Sequence, residues 1–212
     1  MPTAEHQAAL HTPAHAASNP AQHLMHFEGG NALSAFRAQA LLPRLQAISA
    51  RITGVAARFV HWVWSDAAIG NHDQLAALLH YGDAYEGGTD GSLVVVMPRL
   101  GTVSPWASTA TDMARNCGFG AAAVGDTGGP GLHRVERVTE WRLQLKAGLL
   151  AGVIGAAPKP LSDAELQACA ALLHDRMTES VAFEREAARH LFDERAAAPL
   201  AHVDVLGTGP SG

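Results

Sequence analysis

The sequence is poor in cysteine and has no cluster of basic residues. Cys117 and Cys169 are its only cysteines, and they are too far apart to suggest a metal-binding pair. This argues against a disulfide-rich secreted domain and favours a reducing compartment, so we expect a cytoplasmic protein. The formal net charge is −5, and acidic and basic residues are interspersed after residue 30. Nucleic acid is therefore a poor candidate partner.

Targeting and membrane-spanning patterns are also lacking. Residues 1–23 contain no Lys or Arg, so they have neither the basic start of a secretory signal nor the arginines of a transit peptide. The longest apolar run, at 147–157, is far shorter than the roughly 20 residues that cross a bilayer. We therefore expect no membrane partner. Apolar residues make up 48% of the chain and charged residues 17%, which is typical of a globular fold.

Strand-like and helical segments alternate along the chain. Apolar and β-branched runs predict strands at 24–29, 54–64, 92–98 and 132–146, the last as one strand or a hairpin. Helical spacing predicts helices at 33–48, at 71–80, from the loop after residue 98 to about residue 117, and from residue 162 to about residue 191. Ser162 and Glu165 form a capping box at the start of the last helix.

This order of elements predicts an α+β fold. We expect two similar, ferredoxin-like halves that share a mixed or antiparallel sheet, with helices packed on one face. The predicted organisation is a disordered leader at 1–23, a domain at 24–157, a long helix packed on it within 158–195, and a linker at 196–212. The internal repeat that two such halves require is not visible in the sequence itself.

The most distinctive local feature is PRLGTVSPWASTATDMARNCG at 98–118. It leaves a buried strand, crosses a loop and begins a helix whose exposed amides favour a phosphate or carboxylate. The alternative is an ordinary capped helix with Trp106 in the core. Our candidate interface or substrate-proximal residues are Arg99, Gly101, Thr102, Ser104, Trp106, Thr111 and Asp112.

Other possible chemical sites are weak. His72-Asp73 and His174-Asp175 resemble the HD pairs of metal-dependent phosphohydrolases, but neighbouring residues on a helix point about 100° apart. The glycine-rich stretch at 125–131 lacks the spacing of a phosphate-binding loop. We therefore predict no catalytic residue, no metal site and no cofactor in this chain.

The 98–118 segment closely resembles PRxGTxSPWSSKATDIxxNCG, which lies near the start of the large, single-chain phosphoribosylformylglycinamidine synthase family. Further stretches resemble that family in the same order, namely ALSAFRAQALLPRL (32–45), LHRVERV (132–138), LHDRMTESVAF (173–183) and VDVLG (203–207). The resemblance spans about residues 31–208. Ala107 and Thr109 stand where the family has Ser and Lys, so we do not expect this chain to make the contacts of that lysine.

The resemblance implies a function in purine synthesis. The family uses ATP, Mg²⁺ and glutamine to convert formylglycinamide ribonucleotide to its amidine. The resemblance also implies that an ATP-binding synthetase domain and a glutaminase domain follow in the same polypeptide and are the partners of this chain. Residues 24–157 would be a non-catalytic bridging domain that helps to shape the path of ammonia. The 212-residue chain alone would be inactive. The alternative is a stand-alone module that binds an anionic metabolite at residues 104–112.

Overall fold

A five-stranded antiparallel sheet forms the centre of the protein. The computed structural model describes residues 23–120, 131–146 and 158–193. The strands are β1 (His23–Asn31), β2 (Ile52–Ser65), β3 (Ser92–Pro98), β4 (Leu132–Leu145) and β5 (Glu179–Ala182). Their spatial order is β1-β2-β4-β3-β5, and every neighbouring pair is antiparallel. The predicted α+β fold with an antiparallel sheet is confirmed, and 132–146 is one strand.

Four α-helices accompany the sheet in the described part of the chain. They are α1 (Ala35–Ile48), α2 (His72–Leu79), α3 (Pro105–Ala114) and α4 (Asp163–Leu173). A π-helical turn, Arg115–Phe119, extends α3, and a 3-10 helix spans Arg185–Phe192. None of the helices within the described ranges is long and apolar enough to cross a membrane. The predicted leader, glycine-rich loop, apolar run at 147–157 and linker lie wholly or mainly outside the described residues.

The two halves of the fold are related by an approximate two-fold axis. The central strands β2 and β4 are each 14 residues long and pair from Ile52–Leu145 to Ser65–Leu132. Because β1 flanks β2 and β3 flanks β4, an axis near the Phe59–Thr139 pair relates β1-α1-β2-α2 to β3-α3-β4-α4. The predicted pair of similar halves is therefore present, although no repeat is visible in the sequence.

Side-chain alternation along the strands separates two packed faces. Val94 and Val96 of β3 pack with α1 and α4 in one cluster, whereas Val95 packs on the opposite face against the 3-10 helix. A second cluster packs α2 and α3 against Val63 and Val135, which lie on the same face as Val94 by their register. All four α-helices thus lie on one face, as predicted, in the pairs α1/α4 and α2/α3.

The predicted long helix after Ser162 is wrong in its extent. The capping box forms, but α4 ends at Leu173, and His174 is already extended at φ −134° and ψ 156°. The Asp175 carbonyl and carboxylate then accept backbone N–H groups of a tight turn. The following residues form β5, which satisfies the free edge of β3. The apolar spacing that continues to residue 191 belongs to the 3-10 helix on the opposite face.

Buried ion pairs hold the 3-10 helix to the sheet. The Glu140 carboxylate is fully buried and accepts hydrogen bonds from Arg185 Nε at 2.5 Å and Arg58 Nε at 3.3 Å. Arg58 and Arg185 also contact Glu28, so the network joins β1, β2, β4 and the 3-10 helix. Burial by itself would raise the pKa of the Glu140 carboxyl. The hydrogen bonds and charges of Arg185 and Arg58 outweigh burial and hold that pKa below its usual value.

Glu140→Gln should destabilise the fold. Removing one member of a buried charge network costs about 3–5 kcal/mol, because its partners stay buried. Since the folded-state pKa of Glu140 is lowered, its contribution is complete above its ordinary pKa of 4.5 and is lost as pH falls below it. Urea unfolding at neutral and acidic pH should therefore show a less stable variant at pH 7 that loses less stability on acidification than wild type.

Asp112→Asn is the matched control for Glu140→Gln. Asp112 is exposed and lies 3.8 Å from Arg115 Nη1, so its neutralisation should change stability by less than about 0.5 kcal/mol. A Glu140→Gln protein as stable as wild type at pH 7 would contradict the role assigned to the network.

Candidate functional site

The loop after β3 and helix α3 fill a gap beside β4. Strand β3 pairs with β4 only along 139–143, which leaves the edge of β4 before residue 139 without a strand neighbour. Helix α3 lies along that edge, where the buried Thr111 Oγ1 accepts the Val135 N–H at 2.9 Å. Ser104 caps the helix by accepting the Ala107 N–H at 3.0 Å. The position of α3 is therefore fixed by a cap at its start and a side-chain bond to the sheet edge.

A cleft of about 540 Å³ lies between the start of α3 and the turn that connects α4 to β5. We refer to it as the Trp106 cleft. Its lining includes Val96, Arg99, Thr102, Val103, Ser104, Trp106, Arg137, Thr139, Met177, Thr178 and Glu179. It thus lies on the helix-covered face of the sheet, between the two helix pairs.

The structure brings four of the seven candidate residues together in this cleft, namely Arg99, Thr102, Ser104 and Trp106. Gly101 is exposed at the turn before them and has φ +82°, a conformation that favours glycine. Thr111 is buried and bonded to β4, so its position is structural. Asp112 is exposed and does not line the cleft.

Arg137 is the residue of the cleft that the sequence analysis missed. Its guanidinium carbon lies 4.4 Å from the centre of the Phe59 ring and 4.7 Å from that of Trp106. Its Nη1 donates a hydrogen bond to Tyr81 Oη at 3.0 Å. These contacts combine cation–π attraction with a fixed hydrogen bond. Within the described residues, no carboxylate lies within 4 Å of the Arg137 or Arg99 guanidinium, so their charges remain unneutralised.

His61 lies behind this cluster and is uncharged at neutral pH. Its Nε2 is 3.1 Å from Tyr81 Oη, and its ring centre is 5.5 Å from that of Trp106. Burial, followed by the positive charge of Arg137 and the electrostatic effect of His80, lowers the pKa of His61 to about 4. The positive charge of the cleft therefore comes from its arginines alone.

Trp106 separates the cleft from a smaller apolar cavity. The indole is half-buried and packs against the α2–α3 cluster, and it also lines the cleft. Trp106 is therefore neither a fully buried core residue nor a purely exposed one. The second cavity, of about 200 Å³, is lined on its other sides by Leu78, Leu79, Tyr81, Thr109, Ala110 and Met113. Trp106 is thus the shared wall of two depressions in one surface.

Exposed apolar side chains surround these two cavities. Among the large hydrophobic side chains exposed in the described part, Tyr81, Val103, Met113 and Met177 line one cavity or the other, and Leu100 lies in the loop between Arg99 and Val103. Met177 is the most exposed of these five, at 76%, whereas Phe36, exposed at 79%, lies on α1 and lines neither cavity. We call these five residues the apolar rim. Concentrated apolar exposure of this kind marks interaction sites.

The described residues contain no group of three or more side chains that could hold a metal ion. His72 and Asp73 are both exposed, with His72 Nδ1 3.7 Å from Asp73 Oδ1. The His174 ring nitrogen Nδ1 instead contacts the Ala170 carbonyl at 2.5 Å. The first contact is exposed and too long for a hydrogen bond, whereas the second joins His174 to the last turn of α4.

Thr111→Val tests whether α3 is held to β4 by the side-chain bond. The substitution keeps the shape of the side chain but leaves the buried Val135 N–H without an acceptor, which should cost about 1–3 kcal/mol in urea unfolding. Thr109→Val is the matched control on the same helix, because Thr109 is exposed and should change stability by less than about 0.5 kcal/mol. Equal stability of the two variants would show that the bond to Val135 does not anchor α3.

Comparison with known protein families gives a match to the family described as formylglycinamide ribonucleotide amidotransferase N-terminal. The match covers residues 58–192, which is more than half of the 212-residue chain. It runs from within β2 to the end of the 3-10 helix and includes all the residues that line the Trp106 cleft. It agrees with the resemblance of the 98–118 segment. The chain therefore belongs to the N-terminal domain family of formylglycinamide ribonucleotide amidotransferase, a purine-biosynthesis enzyme.

Proposed function

We propose that this chain is a non-catalytic scaffold that docks onto the rest of its amidotransferase through the Trp106 cleft and the apolar rim. The observation that carries the proposal is that Trp106 and Arg137 lie together beside Tyr81 and the other exposed apolar side chains of the rim. Tryptophan, tyrosine and arginine are the residues that most often dominate binding energy at interfaces, particularly where surrounding contacts exclude water.

The partners in this proposal are the synthetase and glutaminase domains of the same polypeptide. The reaction would be the conversion of formylglycinamide ribonucleotide to its amidine, with ATP and glutamine consumed. ATP and Mg²⁺ would bind in the synthetase domain and not in this chain. The family match supports the link to the amidotransferase, and the rim supports a docking role.

A docking role suits the chemistry that such an enzyme performs. Ammonia released from glutamine must reach a second active site without escaping into water or becoming protonated. A packed joint between domains excludes water, and it can do so without contributing a catalytic group. We therefore propose that the cleft surface closes such a joint and helps to shape the path of ammonia.

Aspartate substitutions in the rim should separate docking from folding. Val103 and Met177 are 56% and 76% exposed, so Val103→Asp and Met177→Asp should change the stability of this chain by less than about 0.5 kcal/mol. In the full-length enzyme, a charge forced into a docked apolar surface should weaken docking by 1.4 kcal/mol or more, and glutamine-dependent activity should fall about tenfold.

Ala50→Asp is the control for the rim variants. Ala50 is exposed in the turn between α1 and β2 and lines neither cavity, so its substitution should leave both stability and activity unchanged. Full activity in both rim variants would rule out docking through this surface.

A further inference from the structure

We propose that the floor of the Trp106 cleft binds a small oxyanion, a phosphate group in preference to a carboxylate, between the guanidiniums of Arg137 and Arg99. The proposal goes beyond the scaffold role. It concerns the charged floor of the cleft and does not depend on docking through the rim.

Arg137 is already held in a binding geometry. The Phe59 and Trp106 rings lie 4.4 and 4.7 Å from its guanidinium carbon, and Tyr81 accepts from its Nη1. A guanidinium has five N–H donors, and this is the only one that has a partner within the described residues. Because the side chain is immobilised before any ligand arrives, binding an oxyanion would cost little further side-chain entropy.

Arginines outnumber carboxylates in the lining of the cleft. Arg58, Arg134 and Arg185 each have a glutamate within 4 Å, whereas Arg99 and Arg137 have none within the described ranges. The one carboxylate that lines the cleft is that of Glu179, and its Oε2 already accepts the Asp175 N–H at 2.7 Å. A concave site in which two guanidiniums without acidic partners outnumber a single carboxylate attracts anions.

Hydroxyl groups complete the donor set. Thr139 and Thr178 line the cleft, and the hydroxyl of neither has a hydrogen-bond partner among the described residues. Two guanidiniums and two hydroxyls suit the several acceptor oxygens of a phosphate dianion better than the two oxygens of a carboxylate. The cleft volume of about 540 Å³ falls within the range of small-molecule sites, so there is room for a group esterified to the phosphate.

The experiment is a titration of the 212-residue chain with inorganic orthophosphate. Binding is measured by calorimetry and by the NMR signal of the Trp106 indole N–H. We expect saturable binding with a Kd near or below about 1 mM, weaker at ~0.5 M than at ~0.1 M NaCl because salt screens the attraction. Sodium acetate, the carboxylate probe, should bind about tenfold more weakly or worse, since it presents one charge and two oxygens.

Variants locate the binding site. Arg137→Met should weaken phosphate binding about tenfold or more, which corresponds to loss of a charge-assisted hydrogen bond of about 1.4 kcal/mol. Arg189→Met is the matched control, because Arg189 is exposed on the 3-10 helix, which covers the other face of the sheet. Its affinity for phosphate should equal that of wild type.

Arg99→Met is a second test of the binding site, which is needed if Arg137→Met fails to fold. The Arg99 side chain is exposed and makes no hydrogen bond or ion pair within the described residues, so the fold should tolerate its loss. Phosphate affinity should fall about threefold or more through the lost charge. Absence of saturable binding, an unchanged affinity in Arg99→Met, or equal affinity for acetate and phosphate would each overturn the proposal. The rim variants test the scaffold role separately, so the two can fail independently.

Discussion

The pairing of β2 with β4 is the constraint on which the rest of the structure depends. Two 14-residue strands, paired along nearly their whole length, place one half of the protein on each side of an approximate two-fold axis. Each half then packs its first helix against the second helix of the other half, which gives the pairs α1/α4 and α2/α3. The Trp106 cleft lies between those pairs, with Thr139 of the axial pair in its lining.

Glu140 and Arg137, on opposite faces of the sheet, differ in their partners. On the face covered by the 3-10 helix, buried Glu140 is matched by Arg58 and Arg185, so the network is closed and serves stability. On the other face, Arg137 rests between aromatic rings and has no acidic partner in the described part of the chain. The uncompensated charge and the apolar rim therefore occur together, and this conjunction supports the proposed roles in docking and in oxyanion binding.

The sequence predicted the local elements better than the contacts between them. The run at 92–98 and the capping box at Ser162 were readable because β-branched residues and cap hydroxyls act over a few residues. Strand β5 was missed because its four residues owe their conformation to the free edge of β3, which no local pattern reveals. The helix predicted from residue 162 to about residue 191 was too long for the same reason, because β5, which interrupts it, forms on the edge of β3.

The sequence predicted only part of the candidate site. The 98–118 segment supplied the loop and Trp106, but the cluster also needs Phe59, Tyr81 and Arg137 from three other elements. Strand alternation offered one usable signal. Arg137 lies on the helix-covered face of β4, where Val135, two residues earlier, has an apolar side chain. An arginine at such a position needs a partner or a ligand, and only the fold shows that aromatic rings hold it.

Hydrogen–deuterium exchange would test the central claim, that the Trp106 cleft is the docking surface, most directly. Amide exchange would be compared between the 212-residue chain and the full-length enzyme, with the 3-10 helix Arg185–Phe192 as the internal reference. If the claim is right, amides of residues 99–113 exchange about tenfold or more slowly in the full-length enzyme, because docking excludes water and suppresses local opening. Equal exchange of residues 99–113 in the two proteins would contradict it.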